Sequence, residues 1–136
     1  MTTDTQINKT IFYDHHLAAG GKMVPFGGYL MPVQYSAGIM QEHLHSRDNA
    51  GLFDVSHMGQ LIVKGEGVAQ ALEKLMPVDL ESLGVNQQTY ATLTNAQGGV
   101  LDDLIVTRWA EDTFFLVVNA GCKHEDMAHI RSHLID

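Results

Sequence analysis

Hydrophobic and polar positions change period several times along this chain, and each change marks an expected element. Residues Ile11–Ala19 suit a short helix, stopped by Gly20-Gly21. The next stretch, "KMVPFGGYLMPVQY", is apolar, turn-rich and extended, with room for at most two short strands. A helix from about Ala37 to Asn49 follows, with Ser36 as its expected N-cap. From Leu52 the texture alternates, and "LFDVSHMGQLIVKG" reads as a strand. In "EGVAQALEKLM", Val68, Leu72, Leu75 and Met76 share one helical face, and Pro77 stops the helix. "QQTYATLTN" and "GGVLDDLIVTRW" read as strands joined by a turn at Asn95–Gly99, and "TFFLVVN" as a third. The last segment, "CKHEDMAHIRSHL", is a helix with Met127, Ile130 and Leu134 inward.

Residues 52–136 therefore read β-α-β-β-β-α. The expected fold class is α+β: an antiparallel sheet with helices on one face, in a ferredoxin-like arrangement. Such a unit normally returns to a final strand after its last helix. None follows here, so the unit is expected to be truncated at its C-terminus. Residues 1–51 form a separate N-terminal segment. Unfinished strand edges and orphaned apolar surface favour self-association, and a homodimer or higher oligomer is the expected assembly.

Composition narrows the function. The 136 residues are 45% hydrophobic and 18% charged, enough to bury a real core. The net charge of −8 leaves only eight Lys and Arg, scattered along the chain, so no basic stripe exists for a phosphate backbone. Nucleic acid is not an expected partner. A single cysteine, Cys122, allows no internal disulfide. No apolar run is long enough to span a membrane, and the polar N-terminus carries no visible leader. The expected location is cytoplasmic, or the mitochondrial matrix if a transit peptide has been removed.

The chemistry concentrates at Asp102 and Asp103, two carboxylates inside an otherwise apolar strand, where Asp is disfavoured. Strand parity separates them. Leu101, Asp103 and Ile105 share one face, and Asp102, Leu104 and Val106 the other. A hairpin centred on Glu111 would set Asp103 opposite Asn119 and Ile105 opposite Val117. That would place a carboxylate and an amide side by side among apolar groups, as a polar anchor in a ligand pocket. The competing reading is that an Asp after Gly-Gly caps a turn, above all for Asp102.

Other motifs carry less. "HEDMAH" lacks the spacing of a zinc-protease helix. His129 and His133 stand at i, i+4, but no third ligand is apparent, and no metal is expected. Cys122 reads as a small buried residue, and Met58 as either core or a soft apolar wall. Neither "FGG" nor "QGG" has phosphate-loop spacing.

Four separated stretches, "GGKMVPFGGYLMPVQY", "LFDVSHMGQ", "TNAQGGVLDDLIVTR" and "FLVVNAGC", together resemble the N-terminal part of the aminomethyltransferases, the T-proteins of the glycine cleavage system. The resemblance runs from about Thr10 to the end. It implies transfer of the aminomethyl carbon from the lipoylated H-protein to tetrahydrofolate, giving methylenetetrahydrofolate and ammonia. The family's essential acid matches Asp103, and its folate-lining positions match Met58, Tyr90, Val117 and Asn119. The resemblance also implies a longer protein of three domains around a central folate channel. Its first domain is discontinuous, so residues 1–51 would be one part of it. On that basis the chain is expected to be an incomplete N-terminal fragment. A non-catalytic folate-binding or assembly module is the alternative.

Overall fold

The computed structural model describes residues 7–134, which fall into two compact units, Met1–His57 and Met58–Asp136. The first holds β1 (Asn8–Lys9), α1 (Tyr13–Ala18), β2 (Lys22–Phe26), β3 (Tyr29–Gln34) and α2 (Ile39–Asp48). The two short strands expected in the Pro- and Gly-rich stretch form an antiparallel hairpin, and β1 adds to β3 in parallel. Helix α2 starts later than its apolar pattern suggests, and Ser36 does not cap it. The N-cap is Gly38, at φ +81, which makes no side-chain cap hydrogen bond. A left-handed residue breaks the chain direction there without needing a side chain.

Segment Leu52–Val55 also departs from expectation. It forms no strand, and Leu52, Phe53 and Val55 are exposed. Polar bonding overrides its alternation. Asp54 is buried and accepts from Thr10 Oγ1 at 2.9 Å, while His16 Nε2 lies 2.8 Å from the same Oδ2. Its other oxygen accepts from Ser56 N at 2.9 Å. An ionised carboxylate only accepts, so Nε2 carries the His16 proton on this side. The other ring nitrogen, Nδ1, sits 2.7 Å from the Tyr35 hydroxyl. One carboxylate thus ties α1 and the 52–57 segment to the end of the β2–β3 hairpin.

The second unit runs β4 (Gly59–Lys64), α3 (Val68–Glu73), β5 (Gln88–Thr94), β6 (Val100–Ala110), β7 (Thr113–Val118) and α4 (Lys123–Leu134). This is the expected β-α-β-β-β-α order. The four strands form one antiparallel sheet, in the order β4-β7-β6-β5. Alternation gives it a core face of Ala91, Leu93, Leu104, Val106, Phe114, Leu116 and Val118. These residues cluster with Val68 and Leu72 of α3 and Ile130 of α4. Both helices therefore cover the same face. Leu75 and Met76 are buried as expected, although α3 itself ends at Glu73.

Two glycines fix the geometry near the chain reversals. Gly98, at φ +77, lets the Asn95–Gly99 turn close, with Asn95 Oδ1 accepting from the N–H groups of Gln97 and Gly99. Gly59 lies under the start of α4. A Cβ there would stand 2.5 Å from Val118 Cγ2 and 2.6 Å from Lys123 Cβ.

Burial pulls the Asp54 carboxyl upward, but hydrogen bonds from His16, Ser56 and Thr10 outweigh it and hold the group well below the usual carboxylate range. A carboxyl lowered on folding stabilises the native state above its unfolded value and loses that contribution as pH falls. Denaturant titration should show this stability declining below about pH 4. Asp54→Asn should cost about 1–3 kcal/mol at neutral pH, because the donors of His16, Ser56 and Thr10 lose a charged acceptor. The acid-limb slope should flatten in the variant.

Candidate functional site

Strand β6 delivers its two carboxylates to opposite sides of the sheet. Asp102 pairs with Leu93 and belongs to the core face. Asp103 pairs with Thr92 and is exposed on the open face. The ladder sets Ile105 opposite Val117, in the register expected of a hairpin centred near Glu111. Tyr90, Ile105, Val117 and Gln60 then form one row across the open face, from β5 to β4. Thr92 and Asp103 begin the next row toward the same end. Asn119 follows β7 directly, and Met58 precedes β4.

Asn119 lies just past the paired residues, yet its side chain reaches both aspartates. Its Nδ2 donates to Asp102 Oδ1 at 2.9 Å, to the Asp103 carbonyl at 3.1 Å and to Asp103 Oδ1 at 3.2 Å. Its backbone N–H donates to Asp102 Oδ2 at 3.2 Å. The Asn95–Gly99 turn is capped by Asn95, so Asp102 has no turn-capping role; it holds Asn119 instead. The amide spans the end of the hairpin and links one face to the other.

Tyr90 is 81% exposed, while Ile105 and Val117 are half-buried. An aromatic ring and two aliphatic side chains thus flank the Asp103 carboxylate on one surface. This arrangement can take a flat, partly apolar ligand and place one negative charge against it. Met58 is half-buried at the start of the unit.

One participant has no counterpart among the residues expected from sequence. Asp126, in the first turn of α4, is 3% exposed, and its carboxyl hydrogen-bonds that of Asp102. It stands four residues before Ile130, on the inward stripe of the helix, and that spacing was the available signal. Burial, the hydrogen bond to Asp102 and the Asp102 charge push Asp126 up to about 7. Asp102 moves the other way. Burial opposes its ionisation, but hydrogen bonds from Asn119, Asp126 and the Asp103 backbone together lower it. Cys122, half-buried before α4, has its thiol pushed up by the Asp102 charge, by burial, and by the charges of Asp126 and Glu125.

Other candidates lie apart. The His129 and His133 rings are 4.6 Å apart, and His133 Nδ1 lies 2.8 Å from the His129 carbonyl oxygen. Among the described residues no group of three or more His, Cys, Asp or Glu side chains could hold a metal ion. A hollow of about 530 Å³ beside Glu66, Gln70 and Glu81 includes Arg108. That guanidinium is committed to the carbonyls of Glu81, Leu83 and Glu111. Its lining includes neither Asp103 nor Tyr90.

Residues 12–136 match the family model described as the GCVT N-terminal domain. A mitochondrial aminomethyltransferase of Pisum sativum is 47% identical over 132 residues, covering 97% of this chain and 32% of the relative. An aminomethyltransferase of Prosthecochloris aestuarii is 48% identical over 128 residues, covering 94% of this chain and 35% of the relative. The crystal structure of the glycine cleavage system aminomethyltransferase T from Bartonella henselae superposes with a TM-score of 0.91 at 41% identity, over 96% of this chain and 36% of that one. The chain thus spans about a third of the length of the curated relatives it matches.

The amide bridge generates a stability prediction. Asn119→Ala should cost about 1–3 kcal/mol, since hydrogen bonds to a carboxylate are lost and buried acceptors are left unmatched. Tyr90→Ala, at an exposed position, should stay within about 0.5 kcal/mol. Paired urea melts of the two variants would measure the difference.

Proposed function

We propose, from the premise that this chain belongs to the GCVT N-terminal domain family, that it supplies the working carboxylate of a tetrahydrofolate-dependent aminomethyl transfer. The reaction takes the carbon of an aminomethyl group borne on a lipoylated H-protein and delivers it to tetrahydrofolate, releasing ammonia. The observation that carries the reading is Asp103, an exposed carboxylate beside Tyr90, Ile105 and Val117 on the open sheet face.

The residues suit that chemistry. Cationic, iminium-like character develops on the carbon as it changes hands. A fixed carboxylate lowers the energy of that charge and needs no reorganisation when the site is partly dry. The Asn119 amide holds the Asp103 carboxylate in place through Oδ1. Met58, Tyr90 and Val117 would offer the apolar contact area for the folate ring system, and Asn119 a polar one. Asn119 Nδ2 is already shared among Asp102 and Asp103, which suits orienting the acid as well as touching ligand.

Two outcomes test the reading. In the native protein that carries this chain, Asp103→Asn should lower ammonia release from aminomethylated H-protein by roughly two to three decades. Tetrahydrofolate affinity should change little, because the apolar contacts remain. A near-normal rate for the variant would sink the assignment. The 136-residue polypeptide alone matches about a third of its relatives' length. It is expected to show no H-protein-dependent turnover in the same assay, and robust turnover would show that these residues suffice.

A further inference from the structure

Four polar side chains form a line through the second unit, from the buried start of α4 to the open face of the sheet. Asp126 is buried behind the sheet and hydrogen-bonds Asp102. Asp102 accepts from both the backbone and the side chain of Asn119. The same Asn119 amide donates to Asp103 Oδ1. Backbone bonds hold the two ends of the line in place. The Cys122 N–H donates to the Asn119 carbonyl at 3.1 Å, and the Asp126 N–H donates to the Cys122 carbonyl at 2.9 Å. The turn that follows Asn119 therefore delivers Asp126 back to Asp102.

Two adjacent carboxyls in such a place do not both ionise cheaply, so one proton is held between them. The hydrogen bonds decide where it resides. Asp102 accepts two hydrogen bonds from Asn119, which favour its charged form. Asp126 is the more deeply buried, and its Oδ2 is sealed from solvent with no hydrogen-bond partner, which favours its neutral form. The other titratable groups nearby are Asp103 on β6, Cys122 before α4, and Lys123, His124, Glu125 and His129 on α4; the charges that act on Asp126 are those of Asp102 and Glu125. The first residue of α4, Lys123, packs its Cβ against Gly59 of β4.

We infer that Asp126 is a positioning residue: protonated and buried, it donates to Asp102 from behind the sheet, so that Asp102 fixes the Asn119 amide and the amide fixes the Asp103 carboxylate. The role in transfer rests on Asp103 being the working acid; the hydrogen-bonded line itself does not. Loss of the Asp126 proton would set two negative charges side by side and release the Asn119 amide. Orientation of the open-face carboxylate is then coupled to pH through a group that never touches ligand.

The experiment is a carboxyl and side-chain amide NMR titration of the full chain, without folate, from about pH 4 to about pH 9. Asp126 should titrate near 7, roughly three pH units above an ordinary aspartate. The Asn119 side-chain amide signals should move with the same midpoint. Asp126→Asn retains a donor to Asp102, so it should hold those signals at their low-pH positions across the range. Asp126→Ala should displace them at every pH. An Asp126 midpoint near 4, or Asn119 signals indifferent to the Asp126 titration, would overturn the inference. The wild-type titration decides it even if a variant fails to fold. No turnover enters this measurement, so its failure is distinguishable from failure of the Asp103 assignment. If both stand, Asp126→Asn in the native protein should remove the corresponding pH dependence from kcat and leave the folate KM unchanged.

Discussion

Everything at the candidate site depends on the alternation of one strand. Successive side chains of β6 point to opposite faces of its sheet. Asp102 and Asp103 are neighbours in sequence that occupy different environments. The first lies against the core, beside Leu93 and Asp126. The second stands in the open among Thr92, Ile105 and Tyr90. A slip of one residue in the pairing with β7 would exchange them, exposing one apolar set and burying the other. Leu104, Val106, Leu116 and Val118 prevent that slip, because only one register puts all four into the cluster with α3 and α4. The hydrophobic core thus sets the register, and the register selects which carboxylate faces outward.

The two units solve a similar problem by different means. In the second, apolar burial organises the strands. In the first, the apolar cluster is sparse, and among the described residues Met31 is its one buried hydrophobic residue of any size. Asp54 takes the organising role there, gathering His16, Thr10 and Ser56 around one carboxylate. The cost of burying that charge is offset by donors on every side, the condition under which a buried ion is tolerated.

Much of this was legible in the chain. Strands β5, β6 and β7, the turn at Asn95–Gly99 and the separation of Asp102 from Asp103 all follow from period and parity. The pairing of Ile105 with Val117 followed from a single assumption about the hairpin. The failures share a cause. Leu52–Val55 alternates, but its Asp54 is claimed by residues distant in sequence, and no local pattern reports that. Ser36 has the chemistry of a cap, but the left-handed Gly38 already ends the preceding segment. Asp126 lies on the inward stripe of α4, where a helical reading counts apolar residues and passes over a carboxyl. Its partner, Asp102, is on another element, and only the tertiary structure joins them. Exposure of the open sheet face was equally out of reach, since a strand pattern does not say what covers it.

The position of Cys122 has a consequence for oxidative chemistry. It is the only cysteine of the chain, half-buried at the foot of α4, and surrounding carboxylates raise its thiol. Attack on peroxides and disulfides is carried out by the thiolate. Negative charge around the sulfur therefore opposes formation of the thiolate. Asp102, whose charge holds the Asn119 amide, thus also opposes ionisation of the chain's one thiol.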